Sequence, residues 1–179
     1  MAECDPGSLA AWIAGEDDMQ RDIKAGIDGA IGGAAGTVLM SLVMLGAKKA
    51  GLMGQLPPKR ITEAALEATG EAQVSTETVD ALTVIAHFGY GIGAGTLFGV
   101  AVRRVRPSLD RGFLGALYGT LIWFVSYKGW VPALGIMPPP ERDRPYRPES
   151  MLVAHWVYGW TLGKVLAWRS SHARRWLRG

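Results

Sequence analysis

The sequence predicts an all-α fold: an integral membrane four-helix bundle built as a parallel two-plus-two internal repeat. Two observations lead to this prediction. The charged residues make up 20% of a 179-residue chain that is 49% hydrophobic, and they are concentrated in connectors that separate four long apolar stretches. The two halves of the chain also share glycine and histidine motifs at constant offsets. About 20 apolar residues in a helix are enough to cross a hydrocarbon core of ~30 Å.

Composition argues against several other classes. The net charge is +3 and the pI is 9.2, but much of the arginine lies beside apolar stretches, where it indicates membrane orientation rather than nucleic-acid binding. The single cysteine, Cys4, excludes an intramolecular disulfide and a cysteine-based zinc site. The acidic start of the chain is not typical of a cleaved export signal. We therefore expect the lipid bilayer, and not nucleic acid, as the partner of this chain.

The elements are predicted in the following order. The acidic N-terminal segment contains a short apolar patch, residues 9–14, which predicts a surface helix. The four predicted spans follow at residues 27–47, 81–102, 112–131 and 150–168. The fourth span is the least hydrophobic and includes Lys164, whose long side chain can reach the headgroups. All four stretches are apolar around the whole helix, which is typical of membrane helices rather than of a soluble bundle.

The connectors divide the chain and orient it. We predict a cytoplasmic N-terminal segment (1–24), a first two-span repeat (25–107), a second two-span repeat (108–169) and a basic cytoplasmic tail (170–179). The loop between spans two and three and the tail after span four are rich in arginine, and cytoplasmic loops accumulate such residues. Both termini are therefore expected in the cytoplasm. Of the two outer connectors, residues 61–70 predict a short interfacial helix ended by Gly70, and the second is too rich in proline for a helix.

The internal repeat is visible residue by residue. Spans one and three share glycines and a threonine at an offset of 83, as in Gly36 and Gly119, whereas spans two and four share an Ala-His-x-x-Tyr-Gly motif at an offset of 68. Each half is therefore one unit of two spans. Because two spans return the chain to its starting side, the second unit has the same orientation as the first, which makes the repeat parallel rather than inverted.

Glycines spaced four residues apart occur in every span. In lipid, helices associate by close packing, and glycine lets their backbones approach. We predict that these glycines pack the helices of one bundle; the alternative is an interface within a homo-oligomer or a larger membrane complex. The predicted packing residues are Gly32, Gly36, Gly91, Gly95, Gly115, Gly119, Gly159 and Gly163.

His87 and His155 are the candidate functional residues. They occupy equivalent positions in spans two and four, on the same helical stripe as the glycines four and eight residues later, so both are expected to face the packed interior at matching depth. An intramembrane histidine is costly when unpaired and is a functional candidate by default. Three uses stay open: a neutral ring hydrogen-bonded across the interface, for example to Tyr90, Tyr158, Tyr127 or Ser126, a pair of axial haem ligands, or protonation from an acidified exterior.

Other ionisable groups have simpler explanations. Asp28, at the start of span one, and Asp110, just before span three, are predicted to cap helix N-termini. Lys128 near the outer end of span three is expected to extend toward the headgroups. No phosphate-binding loop, zinc-protease motif or serine nucleophile motif is present. We therefore expect no enzymatic activity, no catalytic residues and no metal site, and no cofactor unless the histidines bind haem b.

The order of motifs resembles the YagU-like family of bacterial inner-membrane proteins, whose function is undefined. The resemblance covers roughly residues 81–168. It rests on the histidine that opens span two, a proline before the basic loop, a glycine-led span three, the outer segment ALGIMPP, and a glutamate followed by a second histidine (Ala86, His87, Pro107, Gly112, Gly115, residues 133–139, Glu149 and His155). It implies the bacterial inner membrane and a link to acid tolerance. A further family histidine in span three has no counterpart here, where Ser126 and Tyr127 stand.

The expected function is that of a non-enzymatic, multi-pass inner-membrane protein, a structural or accessory component linked to acid response. A haem-binding redox or electron-transfer subunit that uses the histidine pair is the first alternative, and a small transporter or channel is the second. The sequence names no substrate, ligand or partner protein.

Overall fold

The computed structural model describes the backbone of residues 6–71, 73–105 and 107–176, and the side chains of residues 15–71, 73–105 and 107–172. These parts of the chain are helical and contain no strand, as predicted. The helices are α1 (Pro6–Lys49), α2 (Pro57–Ala68), α3 (Thr76–Val105), α4 (Arg111–Trp123), α5 (Val131–Ala133) and α6 (Arg147–Trp176). A π-helical segment (Phe124–Trp130) joins α4 to α5, and a 3₁₀ turn (Pro140–Arg142) precedes α6.

Helix α1 is longer than predicted. It runs without interruption through the boundary at residue 24, so the acidic N-terminal segment and the first span form one helix. The apolar patch at residues 9–14 belongs to this helix, and its side chains lie outside the described residues. Asp28 is therefore in mid-helix, and the prediction that it caps an N-terminus is wrong. Its buried carboxylate instead accepts hydrogen bonds from Lys24, at 2.9 Å, and Arg169, at 2.5 Å.

Close approach of glycine backbones sets the packing of the long helices. A Cβ placed on Gly33 would lie 2.4 Å from the carbonyl oxygen of Gly91, and one on Gly115 would lie 1.9 Å from that of Gly159. Helix α1 packs along both α3 and α6, and α4 packs along α6. All eight glycines named from the sequence lie against a neighbouring helix in this way. Such contacts are possible because glycine has no side chain between the two backbones.

The two halves pack differently despite their sequence repeat. Gly32 and Gly36 of α1 contact Leu162 and Tyr158 of α6. A two-fold repeat would pair α4 with α3 in the same way, but α3 and α4 touch at few positions. The described contact between them is made by Tyr118.

Tyr118 bridges α3 and α4 through its ring and its hydroxyl. The ring stacks on Phe98 with 4.9 Å between centroids, and the hydroxyl donates to the carbonyl oxygen of Ala94 at 3.0 Å. Tyr118 therefore joins two helices whose backbones do not pack as closely as those of α1 and α6.

The third predicted span is helical from residue 111 to 133, but its outer half is a π-helix. Pro132 has no N–H group and cannot make the usual helical hydrogen bond to the carbonyl four residues earlier. The amide of Val131, just before it, donates to the carbonyl oxygen of Ser126, five residues earlier, which is the π-helical pattern. Asp110 caps the N-terminus of α4, as predicted, by accepting from the amide of Phe113 at 3.1 Å.

The first outer connector forms α2, four residues longer at its start than the predicted helix, and Gly70 follows it in a left-handed conformation with φ of 81°. The helix packs on α3. Two helices are long and apolar enough to cross a membrane, α1 over Gly15–Lys49 and α3 over Thr76–Val105.

Candidate functional site

A cavity of about 240 Å³ lies between α3 and the π-helical segment, where α3 and α4 make few contacts. It is lined by residues of α1, α3, α6 and the π-helical segment. Pro57, Pro58, Ile61 and Thr62 of α2 also belong to the lining. The cavity therefore lies between two helices that do not pack closely on each other, with residues of α2 in its wall. Its lining is largely apolar, and within the described part of the chain it contains no charged side chain.

Both candidate histidines line this cavity. His155, on α6, is 5% exposed, and its Nδ1 lies 2.7 Å from the carbonyl oxygen of Met151. A carbonyl oxygen can only accept, so Nδ1 of this ring donates. In the neutral ring, Nε2 then carries the lone pair and is an acceptor. None of the hydrogen bonds made by the described residues reaches Nε2 of His155.

His87 enters the cavity from α3 and is only half-buried. Its Nε2 is nevertheless buried, and it has no hydrogen-bond partner among the described residues. The two histidines predicted from the sequence therefore line one cavity, but His155 is buried whereas His87 is half-buried. The cross-helix hydrogen bonds suggested for these rings are not formed in the described structure, since His155 bonds to its own helix.

Several other polar groups of the lining are already hydrogen-bonded. Thr37 donates to the carbonyl oxygen of Gly33 at 2.8 Å, and Ser126 donates to that of Ile122 at 2.6 Å. The hydroxyl of Tyr158 crosses to α3 and donates to the carbonyl oxygen of Gly91 at 2.7 Å. Among the described residues, the polar side-chain groups of the lining that make no hydrogen bond are the ring nitrogens of His87, Nε2 of His155, the hydroxyl of Tyr90 and the indole N–H of Trp130.

Tyr127 connects the cavity to an ionic cluster that the sequence analysis missed. Its hydroxyl donates to Asp143, whose side chain is 1% exposed and also accepts from Nη1 of Arg147 at 2.7 Å. Asp143 lies in the proline-rich connector, whose sequence carries no pattern that predicts a buried acid. The cluster holds that connector against the outer end of the π-helix.

Ion pairs also lie around the cavity and at the opposite end of the helices. Lys59 of α2 lies 2.6 Å from Asp80 of α3, and this hydrogen bond raises the pKa of the lysine. Lys128 pairs with Glu141 at 2.8 Å and does not line the cavity that holds the two histidines. At the inner end, a hydrogen bond from Lys164 holds the pKa of Asp110 below its ordinary value.

The fold and the cavity define a class: an all-helical protein with two helices able to cross a membrane and an apolar cavity that holds two histidines. The chain belongs to a family of unknown function, DUF6789, whose sequence profile matches residues 23–177. Comparisons with curated proteins and with solved structures give no match. None of these comparisons supports the resemblance to the YagU-like proteins, and the bacterial inner-membrane assignment that it implied stays a prediction.

Proposed function

We propose that this chain is a multi-pass integral membrane protein that crosses the bilayer with four helical segments, both termini in the cytoplasm. In this proposal it is a non-enzymatic accessory component of the bacterial inner membrane. Two of the segments are α1 and α3. The other two are residues 111–133, in which the π-helical segment interrupts the α-helix, and α6, which is less apolar; both need a separate argument.

That argument is the apolar surface of α4 and α6. Side chains spaced along the outward faces of both helices have exposed fractions between 44% and 55%, namely Phe113, Leu117, Leu121, Val153, Trp156 and Trp160. Such a continuous apolar surface is unfavourable in water, and soluble monomers rarely expose one. In a bilayer it faces lipid tails, so the exposed faces of α4 and α6 support four spans rather than two.

The positions of the charges support the same proposal. Described ion pairs lie at the two ends of the long helices: Asp22 with Arg103 and Arg104 at the inner end, and Asp143 with Arg147 at the outer end. The inner end also carries Arg111 and Arg169, and cytoplasmic ends of membrane helices are enriched in such residues. This distribution favours cytoplasmic termini.

A link to acid response would operate through His155 and His87. Protonation would put a positive charge on a buried ring in a cavity without a counter-charge, which is unfavourable unless water enters or the helices move. The weak contact between α3 and α4 is where such movement would occur. A shift in the tryptophan fluorescence of the purified protein on acidification, absent from His155→Phe, would support this role.

We expect no haem in this cavity because of its size. Pockets for drug-sized ligands begin at about 300 Å³, and this cavity, at about 240 Å³, is smaller although a haem is larger than such ligands. The two imidazoles are suitable ligands, but the space between the helices is not. An absorption spectrum of the purified protein without a Soret band is the expected result.

Accessibility of single cysteines tests the four-span topology. In a Cys4→Ser background, Leu109→Cys and Arg142→Cys place a thiol at two exposed connector positions. With four spans, a membrane-impermeant maleimide added to spheroplasts labels position 142 and reaches position 109 only after permeabilisation. If α1 and α3 alone cross, both positions behave alike, which would contradict the proposal. Cys4 of the unaltered chain is the control for a cytoplasmic thiol.

A further inference from the structure

We propose that the cavity between α3 and the π-helical segment binds one hydroxylated aromatic ring, the headgroup of a neutral lipid-soluble phenol or quinol. This inference goes beyond the proposed function and rests on it only for the route of entry, because the ligand would come from the lipid. The observations that carry it are the size of the cavity, the absence of charge from its lining, and the two imidazoles left with free hydrogen-bonding capacity.

The size of the cavity selects a single ring. A cavity of about 150 Å³ lined by apolar side chains holds benzene. A cavity of about 240 Å³ has room for a ring with small substituents but not for a fused polycycle. Tyr90, Tyr127 and Trp130 line the same space and offer aromatic surfaces for stacking or edge contact with a ring.

The hydrogen-bonding pattern selects a ligand that donates. His155 uses Nδ1 on Met151, so in the neutral ring Nε2 can only accept. The partner that satisfies it is an O–H or N–H group. A carboxylate or an amine is disfavoured because the lining contains no charged side chain among the described residues. A phenolic hydroxyl is neutral, donates one hydrogen bond and is carried on a ring of the right size.

His87 supplies a second polar position in the lining of the cavity. Its Nε2 is buried without a partner among the described residues, and leaving a buried nitrogen unpaired costs free energy. A ligand with a second oxygen, as in a quinol, would offer this nitrogen a partner.

Entry from the side is the route that the helix packing leaves. Residues of α2 belong to the lining, and on α3 the lining ends at Ala94, whose carbonyl oxygen accepts from Tyr118. Ala86 and Tyr90 line the cavity and are exposed on α3. An alkyl tail on the ring would therefore pass between α3 and the π-helical segment and remain in the hydrocarbon core.

Calorimetric titration of the detergent-solubilised full chain tests this inference with two probes, 4-hexylphenol and 4-hexylanisole. They have the same ring and tail, but the anisole has no hydroxyl proton. We expect saturable binding of one phenol per chain and, because one hydrogen bond is lost, about ten-fold weaker binding of the anisole. Equal affinities for the two probes, or no saturable binding of the phenol, would overturn the inference.

Two histidine variants locate the site. His155→Phe keeps a ring at this position but removes the acceptor, and it should lower phenol affinity to that of the anisole. His172→Phe is the matched control, because this histidine also has Nδ1 near the carbonyl oxygen four residues earlier, at 3.0 Å, but is exposed outside the cavity. Unchanged affinity in His155→Phe would refute the assignment. If His155→Phe does not fold, the difference in affinity between the two probes on the unaltered chain tests the inference. The cysteine-labelling experiment tests the four-span topology separately, so failure of one proposal can be told from failure of the other.

Discussion

Replacing Gly159 by alanine tests whether close backbone contact holds α4 and α6 together. A Cβ at this position would lie 1.9 Å from the carbonyl oxygen of Gly115 and 2.5 Å from its carbonyl carbon. Carbon–oxygen contacts between helices are normally no closer than about 3.3 Å. The two helices would have to separate by more than an ångström, because a backbone carbonyl cannot rotate away as a side chain can.

The expected magnitude combines two opposing effects. Overpacking in a well-packed interface costs about 1–3 kcal/mol, and contact with backbone places this case at the upper end. Alanine is the better helix former by about 1 kcal/mol. The net loss in the free energy of unfolding for Gly159→Ala is therefore expected to be about 2 kcal/mol.

Gly93→Ala is the matched control. Gly93 also lies in a long helix, α3, but a Cβ there would have no neighbour within 4 Å. We expect this variant to be neutral or stabilised by up to about 1 kcal/mol. Unfolding by sodium dodecyl sulfate in mixed micelles, followed by far-ultraviolet circular dichroism, measures both variants. If the two agree within about 0.5 kcal/mol, the usual range for surface substitutions, close packing of Gly159 does not hold α4 against α6.

Two other predictions concern charged residues. Two arginines of α3, chiefly Arg104 through a hydrogen bond, hold the pKa of Asp22 below its ordinary value of 3.8. The stabilisation that these arginines provide is therefore present above pH 3.8 and is lost as the pH falls through the lowered pKa of Asp22. The difference in stability between the native chain and Asp22→Asn should therefore shrink on acidification. Unfolding experiments at several pH values measure this difference. Asp143→Asn should cost about 3–5 kcal/mol because it leaves the largely buried guanidinium of Arg147 without its counter-charge. Glu141→Gln breaks an exposed pair with Lys128 and should cost much less; equal losses in unfolding experiments would contradict the burial argument.

The histidines show how far the repeat could predict the site. Matching positions in two similar helices placed His87 and His155 together, and both line one cavity. Their environments could not be predicted, because the repeat treats the halves as equal. The packing makes them unequal, because α1 and α6 pack closely whereas α3 and α4 touch at few positions. Contacts between the helices, and not the repeated motifs, therefore decide which helix pair opens.

The glycines illustrate the same limit. Gly32 and Gly36 were recognised as packing residues, and both contact a neighbouring helix. The sequence did not indicate which helix. In the structure they face α6, and Gly29 and Gly33 on the adjacent face contact α3. Because α1 packs on two helices at once, it needs small residues on two faces, and spacing within one helix cannot assign each face to a partner.

The sequence by itself determined the helical class, the long apolar segments, the capping of α4 by Asp110 and the two histidines, because these depend on periodicity, composition and neighbours along the chain. Only the tertiary structure decided that α1 is continuous from its acidic start, that Asp28 is ion-paired in mid-helix and that Asp143 is buried under the π-helix. These features depend on contacts between residues far apart in the chain. The cavity belongs to the same group, since it is the space left where one pair of repeated helices does not close.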